Sequence, residues 1–305
     1  MDQIQTMRVF VRVVEAGSFT RAADTLDLPK GTVTKQIQAL EARLRVKLLN
    51  RTTRRVTVTP DGAAYYERAA RLLNDFDELE ASMANSNAAP SGRLRVDVGT
   101  SAARLIVIPR LAGFIDQYPD IQVDLGVTDR AVDLIGDNVD VVIRSGEITD
   151  PSLVARRIGT LPFVTVAAPA YLKKYGTPQT PHDLERGRQH VISFFTSGSR
   201  RAHPLQFRKD GDVLEVSHPY RLAVNDSNAY TSAALSGFGV AQMVRFIAAP
   251  YLASGELVEL FPDWHCDPLP VHVVYPPNRH LSAKVRAFVD WTAAEFARHP
   301  DLARA

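Results

Sequence analysis

With 305 residues, of which 45% are hydrophobic and 23% charged, the chain is long enough for more than one domain and too apolar to be disordered throughout. Its one cysteine, Cys266, excludes an internal disulfide framework and points to a reducing compartment, the cytoplasm. No basic-then-apolar leader opens the chain and no stretch is apolar enough to span a bilayer, so no membrane role is expected. The net charge of +2 hides an asymmetry: residues 1–60 carry +6 and the remainder −4. A basic head on a mildly acidic body suits a nucleic-acid-binding domain joined to one that does not bind nucleic acid.

Ile4, Met7, Phe10, Val11 and Val14 recur at helical spacing, and Glu15-Ala16-Gly17 breaks the pattern. Ser18 caps a second, short helix with Phe19, Ala22, Ala23 and Leu26 inward; Thr20 and Arg21 on it are counted among the DNA-contacting candidates. Asp27-Leu28 makes the turn, and Pro29 fits the first position of a third helix, where its missing N–H costs nothing. On this helix Val33, Ile37, Leu40 and Leu44 form one inward stripe. The other side carries Lys30, Gly31, Thr32, Thr34, Lys35 and Gln38. Small residues let a helix sit deep in the major groove, Thr and Gln bond base edges, and Lys reaches phosphate or guanine. Alone, such a face is equally a solvated surface.

The next stretch of chain weights the DNA-binding alternative. Lys47–Asn50 and Val56–Val58 read as two short strands around Arg51-Thr52-Thr53-Arg54-Arg55. A hairpin with arginines at its tip is a wing placed to touch the DNA backbone or minor groove, with Arg51, Thr52, Arg54 and Arg55 as the contacts. Three stretches then stand in order: G-S-F-T-R-A-A-x-x-L (Gly17–Leu26), T-V-T-K-Q-I-Q-A-L-E (Thr32–Glu41) and L-L-N-R-T-T-R-R-V-T-V-T-P-D-G (Leu48–Gly62). Together they resemble the signature of the LysR-type transcriptional regulators. One departure matters: where that family usually opens the recognition helix with Ser-Gln, this chain has Pro29-Lys30, so the serine cap is absent and the contact is cationic.

Thr59-Pro60-Asp61 starts a further helix by cap, first-turn proline and an acid at the positive dipole end. Along it Tyr65, Ala69, Leu72, Phe76, Leu79 and Met83 alternate in steps of 4 and 3, an a/d seam. The seam must be buried, either on the chain's own head or on a partner; the resemblance implies pairing with a second copy, with Tyr65, Leu72, Phe76, Leu79 and Met83 in the dimer contact. The small, polar run Asn85–Gly92 is the domain boundary. The expected division is thus 1–59 for a winged helix-turn-helix, 60–90 for the linker helix and hinge, and 91–305 for an effector-binding domain.

From Arg93 strands alternate with helices. Leu94, Val96 and Val98 mark one strand, Ile121–Leu125 a second, and Val139–Ile143 a third, apolar enough to be buried on both faces. Such alternation argues for an α/β fold with parallel strands, and Lys209-Asp210-Gly211-Asp212 for a hairpin turn. The stretches D-R-A-V-D-L-I (Asp129–Ile135), D-V-V-I-R-S-G-E (Asp140–Glu147), G-F-G-V-A (Gly237–Ala241) and Y-P-P-N-R-H-L-S-A-K-V-R-A-F-V-D (Tyr275–Asp290) resemble the periplasmic-binding-protein-like effector domain of the same family. That implies two subdomains, about 91–165 with 267–300 and about 166–266, with a ligand cleft between them.

Ligands of open α/β sheets bind beyond the carboxyl ends of strands. Thr100, Ser101, Thr128, Arg144, Ser193, Phe194 and Asn225 fall at or beside such ends, and the resemblance adds Met243 as a pocket wall, since Met243-Val244 stands where many relatives have Leu-Pro. One cation among hydroxyls and amides suits a small organic anion. Against this, Thr100 and Ser101 serve equally as helix caps, and Arg144 as the partner of Glu147 or a nearby Asp. Catalytic patterns are lacking: Gly237-Phe238-Gly239 has Gln242 where a dinucleotide loop needs glycine, there is no G-x-S-x-G, and His265 beside Cys266 is poor zinc geometry. The expectation is a non-enzymatic regulator without metal or cofactor. Its partners would be double-stranded operator DNA, a small-molecule effector, RNA polymerase if it activates, and further copies of itself as a homodimer or homotetramer. A solute-binding protein would leave the basic head unexplained, and a ligand-free DNA binder the body.

Overall fold

The computed structural model describes residues 2–51, 56–84, 89–130, 132–134, 136–137, 139–185, 189–196, 202–217, 220–277 and 281–302, without the side chains of 51, 74–75 and 77–84. It falls into two compact units, Met1–Ala88 and Ala89–Ala305.

In the first unit Asp2 caps α1 (Gln3–Ala16) by accepting the Ile4 N–H at 2.9 Å, and Gly17 ends it at φ 59°. Ser18 caps α2 (Phe19–Thr25) by accepting the Arg21 N–H. The third helix, α3 (Lys30–Leu44), starts one residue later than the sequence suggests. Pro29 is extended, at φ −57° and ψ 134°, and occupies the cap itself, with no side chain bonding to the first turn. Its carbonyl accepts the Thr32 and Val33 N–H groups at 2.8 and 3.2 Å.

Val9, Phe10 and Val13 of α1, Ala22 and Ala23 of α2, and Val33, Ile37 and Leu40 of α3 close on Leu48 and Leu49 as one buried core. Leu44, the expected fourth member of the stripe, is exposed. The helix ends at that residue, and Arg45 turns to φ 56°, so the stripe runs out with the helix. β1 (Leu49–Arg51) and β2 (Val56–Val58) pair antiparallel, with Leu49 opposite Val58. The wing tip, Thr52, Thr53, Arg54 and Arg55, and the Arg51 side chain lie outside the described residues.

Glu41 fastens the hairpin to α3: its Oε1 accepts the Leu48 and Leu49 N–H groups at 2.9 and 3.1 Å. Glu41→Ala leaves both amides without that acceptor and is expected to destabilise the head by about 1–3 kcal/mol. Glu41→Gln, which keeps one oxygen, should recover most of the loss in a thermal melt; equal losses for the two would show that the carboxylate is not what fastens the strand. Thr59 Oγ1 donates to the Lys47 carbonyl at 2.7 Å and accepts the Gly62 N–H at 3.0 Å, capping α4 (Pro60–Ala84). The Tyr65 ring then meets Phe10 edge-on at 5.2 Å.

The second unit opens with β3 (Gly92–Val98), then α5 (Thr100–Ala102), a π turn (Ala103–Val107) and α6 (Ile108–Gln117). Pro109 has no N–H to close an ordinary turn, and the Ile108 N–H reaches five residues back, to the Ala103 carbonyl. β4 (Ile121–Val127), β5 (Val141–Ser145) and β6 (Val154–Leu161) come next. The chain leaves this group at Pro162 and builds a second one: β7 (Phe163–Ala167), α7 (Pro169–Tyr175), β8 (Ile192–Phe194), β9 (Leu205–Lys209), β10 (Asp212–Val216), β11 (Leu222–Val224), α8 (Ser227–Leu235), β12 (Ala241–Val244), α9 (Arg245–Ser254) and β13 (Val258–Leu260). It returns through β14 (Leu269–Tyr275) and ends in α10 (Ala283–Arg298).

The first group is one five-stranded sheet in the order β4-β3-β5-β14-β6. β4, β3 and β5 are parallel, as the alternation predicts, but β14 is antiparallel to both β5 and β6, so the sheet is mixed. In the second group β7 lies between β12 and β13, antiparallel to each, and β8 runs parallel to β11. The hairpin β9–β10 turns on Asp210 and Gly211, both at positive φ (51° and 93°), the two-residue turn that Asp-Gly predicts. The chain crosses between the two groups at Pro162 and again between Leu260 and Leu269. Buried side chains of both groups form one continuous cluster, with Phe114 edge-on to Phe288 at 5.4 Å in the first.

Candidate functional site

α2 and α3 present the basic face. Thr20 and Arg21 are exposed at the start of α2, and Lys30, Gly31, Lys35 and Gln38 are exposed on α3; Thr32 and Thr34 are half-buried on the same helix. The arrangement follows from the stripe: with Val33, Ile37 and Leu40 inward, Lys30, Gly31, Lys35 and Gln38 fall on the outer side. Thr34 Oγ1 donates to the Lys30 carbonyl at 3.0 Å, which orients its lone pairs and leaves them able to accept a donor.

On α4 the spacing leaves two partners open for the seam, and the residues divide between them. Tyr65 packs on Phe10, and Ala69 and Leu73 are buried, so the first half of the helix belongs to the head's own core. Tyr65, expected in the dimer contact, is half-buried beside Phe10. Leu72, on the other side, is 56% exposed, and Phe76 is half-buried. The Leu79 and Met83 side chains lie outside the described residues.

In the second unit the structure joins two of the expected effector residues, Thr100 and Ser101, to two that sequence reasoning misses. Asp129, just past β4, accepts the Thr100 N–H on Oδ1 at 2.8 Å. Its Oδ2 accepts the Thr100 hydroxyl at 2.5 Å and the Ser227 N–H, at the start of α8, at 2.8 Å. Ser227 Oγ lies 2.7 Å from Thr100 Oγ1 and takes a hydrogen bond from Ser101 Oγ at 2.6 Å. Since Thr100 donates to the carboxylate, the protons order themselves in one direction: Ser101 to Ser227, Ser227 to Thr100, Thr100 to Asp129. Burial alone would raise the Asp129 pKa, but hydrogen bonds from Thr100 and Ser227 outweigh it and hold the carboxyl below the usual range. A signal for Asp129 exists in the sequence, since it opens D-R-A-V-D-L-I; Ser227 stands 98 residues from it and carries none.

The other effector candidates scatter. Arg144 lies within β5 rather than beyond it, and its guanidinium binds Asp97 of β3 at 2.5 Å, with side chains only 17% and 11% exposed. This is the ion pair with a nearby Asp that the sequence leaves open as the alternative role of Arg144. Thr128 Oγ1 accepts the Arg130 N–H at 3.1 Å. Ser193 is buried on β8; beside it Phe194 is half-buried, edge-on to Tyr230 at 5.8 Å. Asn225 is half-buried after β11. Met243 is 3% exposed and belongs to the core, paired with Val164 across β12 and β7, so it walls no pocket.

A cavity of about 110 Å³ lies away from this cluster, bounded by Thr165, Gln242, Arg245, Trp264 and Cys266 among others. Arg245 is paired there with Glu259 at 2.6 Å. Burial, then the neighbouring Asp267 charge, pushes the Cys266 thiol up to about 11, with Arg208 opposing, so little thiolate exists near neutral pH. Among the described residues no group of three or more His, Cys, Asp or Glu could hold a metal ion, and no helix is long and apolar enough to cross a membrane.

A helical head with an exposed basic helix, joined to an α/β body, is the build of a ligand-responsive transcriptional regulator. Residues 4–63 match the bacterial regulatory helix-turn-helix protein of the lysR family, and residues 87–297 match the LysR substrate binding domain. The chain belongs to the LysR family of transcriptional regulators, with a helix-turn-helix DNA-binding domain and a substrate-binding effector domain. It is 39% identical to an HTH-type transcriptional repressor of Pseudomonas aeruginosa over 99% of this chain and 95% of that one. It is 32% identical to the HTH-type transcriptional activator AaeR of Escherichia coli over 95% and 93%. Among solved structures, CrgA, a LysR-type transcriptional regulator from Neisseria meningitidis, aligns at TM-score 0.60 and 32% identity over 95% of this chain and 98% of that one.

Proposed function

We propose that this regulator binds double-stranded operator DNA as a homodimer or homotetramer, and that a small organic anion bound between the two strand groups of the body controls it. Support for the DNA reading comes from one arrangement: α3 turns Lys30, Gly31, Lys35 and Gln38 outward from a closed core, within the first sixty residues, which carry the excess positive charge. Exposed Leu72 on α4 favours a second copy as its cover. The Thr100 and Ser227 amides and the Thr100 hydroxyl already converge on one carboxylate, that of Asp129, which supports an anion as the chemistry of this seat. RNA polymerase is a partner if the protein activates, and the relatives include both a repressor and an activator.

A gel shift on the DNA upstream of its own gene, with and without a panel of organic acids, tests this reading. Arg54→Ala in the wing is expected to weaken specific and nonspecific binding alike, and to reduce the log-log salt slope by about one unit for one lost phosphate contact. A slope that does not change would place the wing off the duplex. No shift on any upstream fragment would reject the operator reading, and a shift indifferent to every acid would reject the anionic effector.

A further inference from the structure

The hydroxyls of Thr100 and Ser101 suggest an anion seat, and the structure has a carboxylate there already. It is the chain's own. Asp129 uses both oxygens: one takes the Thr100 amide, the other the Thr100 hydroxyl and the Ser227 amide. Three donors converge on it, and the hydroxyl relay through Ser101 and Ser227 ends at it. A second anion among these groups would find its donors engaged and a negative charge in place.

The contact also joins the strand groups. Thr100 and Asp129 follow β3 and β4 of the five-stranded sheet, whereas Ser227 opens α8 of the second group. Gly99 lies against the same carboxylate: a Cβ there would stand 3.3 Å from Asp129 Oδ1, tighter than ordinary contact. We propose that Asp129 is a built-in occupant of the effector seat, a clasp holding the two strand groups together through Thr100 and Ser227 until a carboxylate-bearing effector replaces it. This rests on the anionic reading above for the effector, but not for the clasp itself. An effector that displaces Asp129 takes over three donors and frees the loop after β4 from α8. Its differential affinity for the unclasped form then sets how far the equilibrium moves.

The experiment is a chemical rescue on the full chain. Asp129→Ala empties the seat, and formate or acetate, each a carboxylate without the rest of a side chain, is titrated against chloride at matched ionic strength. The body's thermal transition is expected to fall in the variant and to rise saturably with formate. At formate a hundredfold above its dissociation constant, the folding equilibrium should shift about a hundredfold. The parent should respond to neither salt, and Asp129→Asn, whose amide still fills the space, should be destabilised without rescue. If Asp129→Ala does not fold unaided, refolding from urea gives the same reading: recovery in formate but not chloride supports the clasp, and recovery in neither overturns it. A parent that binds formate as well as the variant also overturns it, because the seat would then be open. Rescue of the variant, with no organic acid affecting the parent's DNA complex, would leave the clasp standing and reject the anionic effector; the reverse pattern would reject the clasp alone.

Discussion

Gly62→Ala is expected to unfold the DNA-binding head while leaving the effector domain folded. Alanine is ordinarily the better helix former by about 1 kcal/mol. Here the added Cβ would stand 2.0 Å from the Leu48 carbonyl oxygen and 2.9 Å from Val58 Cγ1. The first of these is backbone, held by the Thr59 N–H at 3.0 Å, and cannot swing aside. Relief requires moving α4 off the hairpin, which opens the core around Leu48 and Leu49, so the loss should exceed about 3 kcal/mol. Gly31→Ala is the control. It makes the same substitution in α3, where a Cβ meets nothing within 4 Å. It should hold or raise the melting temperature while lowering operator affinity if α3 enters the groove. Calorimetry should show two transitions in the parent, with only the head's shifted by Gly62→Ala. An unshifted head transition would mean that α4 does not need its close approach to Leu48.

Arg144→Ala should cost the body about 3–5 kcal/mol, because it leaves the Asp97 carboxylate buried without its cation. Asp97 has little room to turn toward water: a Cβ at position 126 of the neighbouring β4 would already meet its Oδ2 at 2.5 Å, which is why glycine stands there. Removing both partners, in Asp97→Ala/Arg144→Ala, should restore part of the loss. The measurement is urea denaturation followed by a body signal such as tryptophan fluorescence, both tryptophans lying beyond residue 260. A loss below about 1 kcal/mol would show the pair behaving as an exposed one.

What the sequence discloses is whatever depends on near neighbours. Ser18 as a cap, the Val33–Ile37–Leu40 stripe, and Asp210-Gly211 as a hairpin turn are each settled within a few residues, and each stands where expected. Apart from the ends of α3, where Pro29 and Leu44 fall one step off, the misplacements involve partners distant in the chain. Spacings of 3 and 4 along α4 cannot distinguish a seam facing Phe10 from one facing another molecule, and only the fold brings Tyr65 beside Phe10. Arg144 carries a positive charge in either role; that Asp97, 47 residues away, neutralises it depends on β3 and β5 being neighbours. Met243 is placed at a pocket wall only through the family resemblance, and the pairing of β12 with β7 puts it in the core. A mixed sheet is likewise beyond reach of an alternation rule, which does not see a last strand inserted in the reverse direction.

That last strand has a consequence for how the molecule is made. In the order β4-β3-β5-β14-β6, the place between β5 and β6 belongs to β14, which begins at Leu269. A ribosome delivers the chain from its N-terminus, so β5 and β6 are complete more than a hundred residues before the strand that joins them exists. Throughout that interval β5 offers an unpaired edge with Val141, Val142 and Ile143, and β6 has neither of its flanks in a sheet. The nascent regulator therefore carries an adhesive apolar edge until its final eighth emerges, and a stop codon anywhere before residue 269 leaves that edge permanently open.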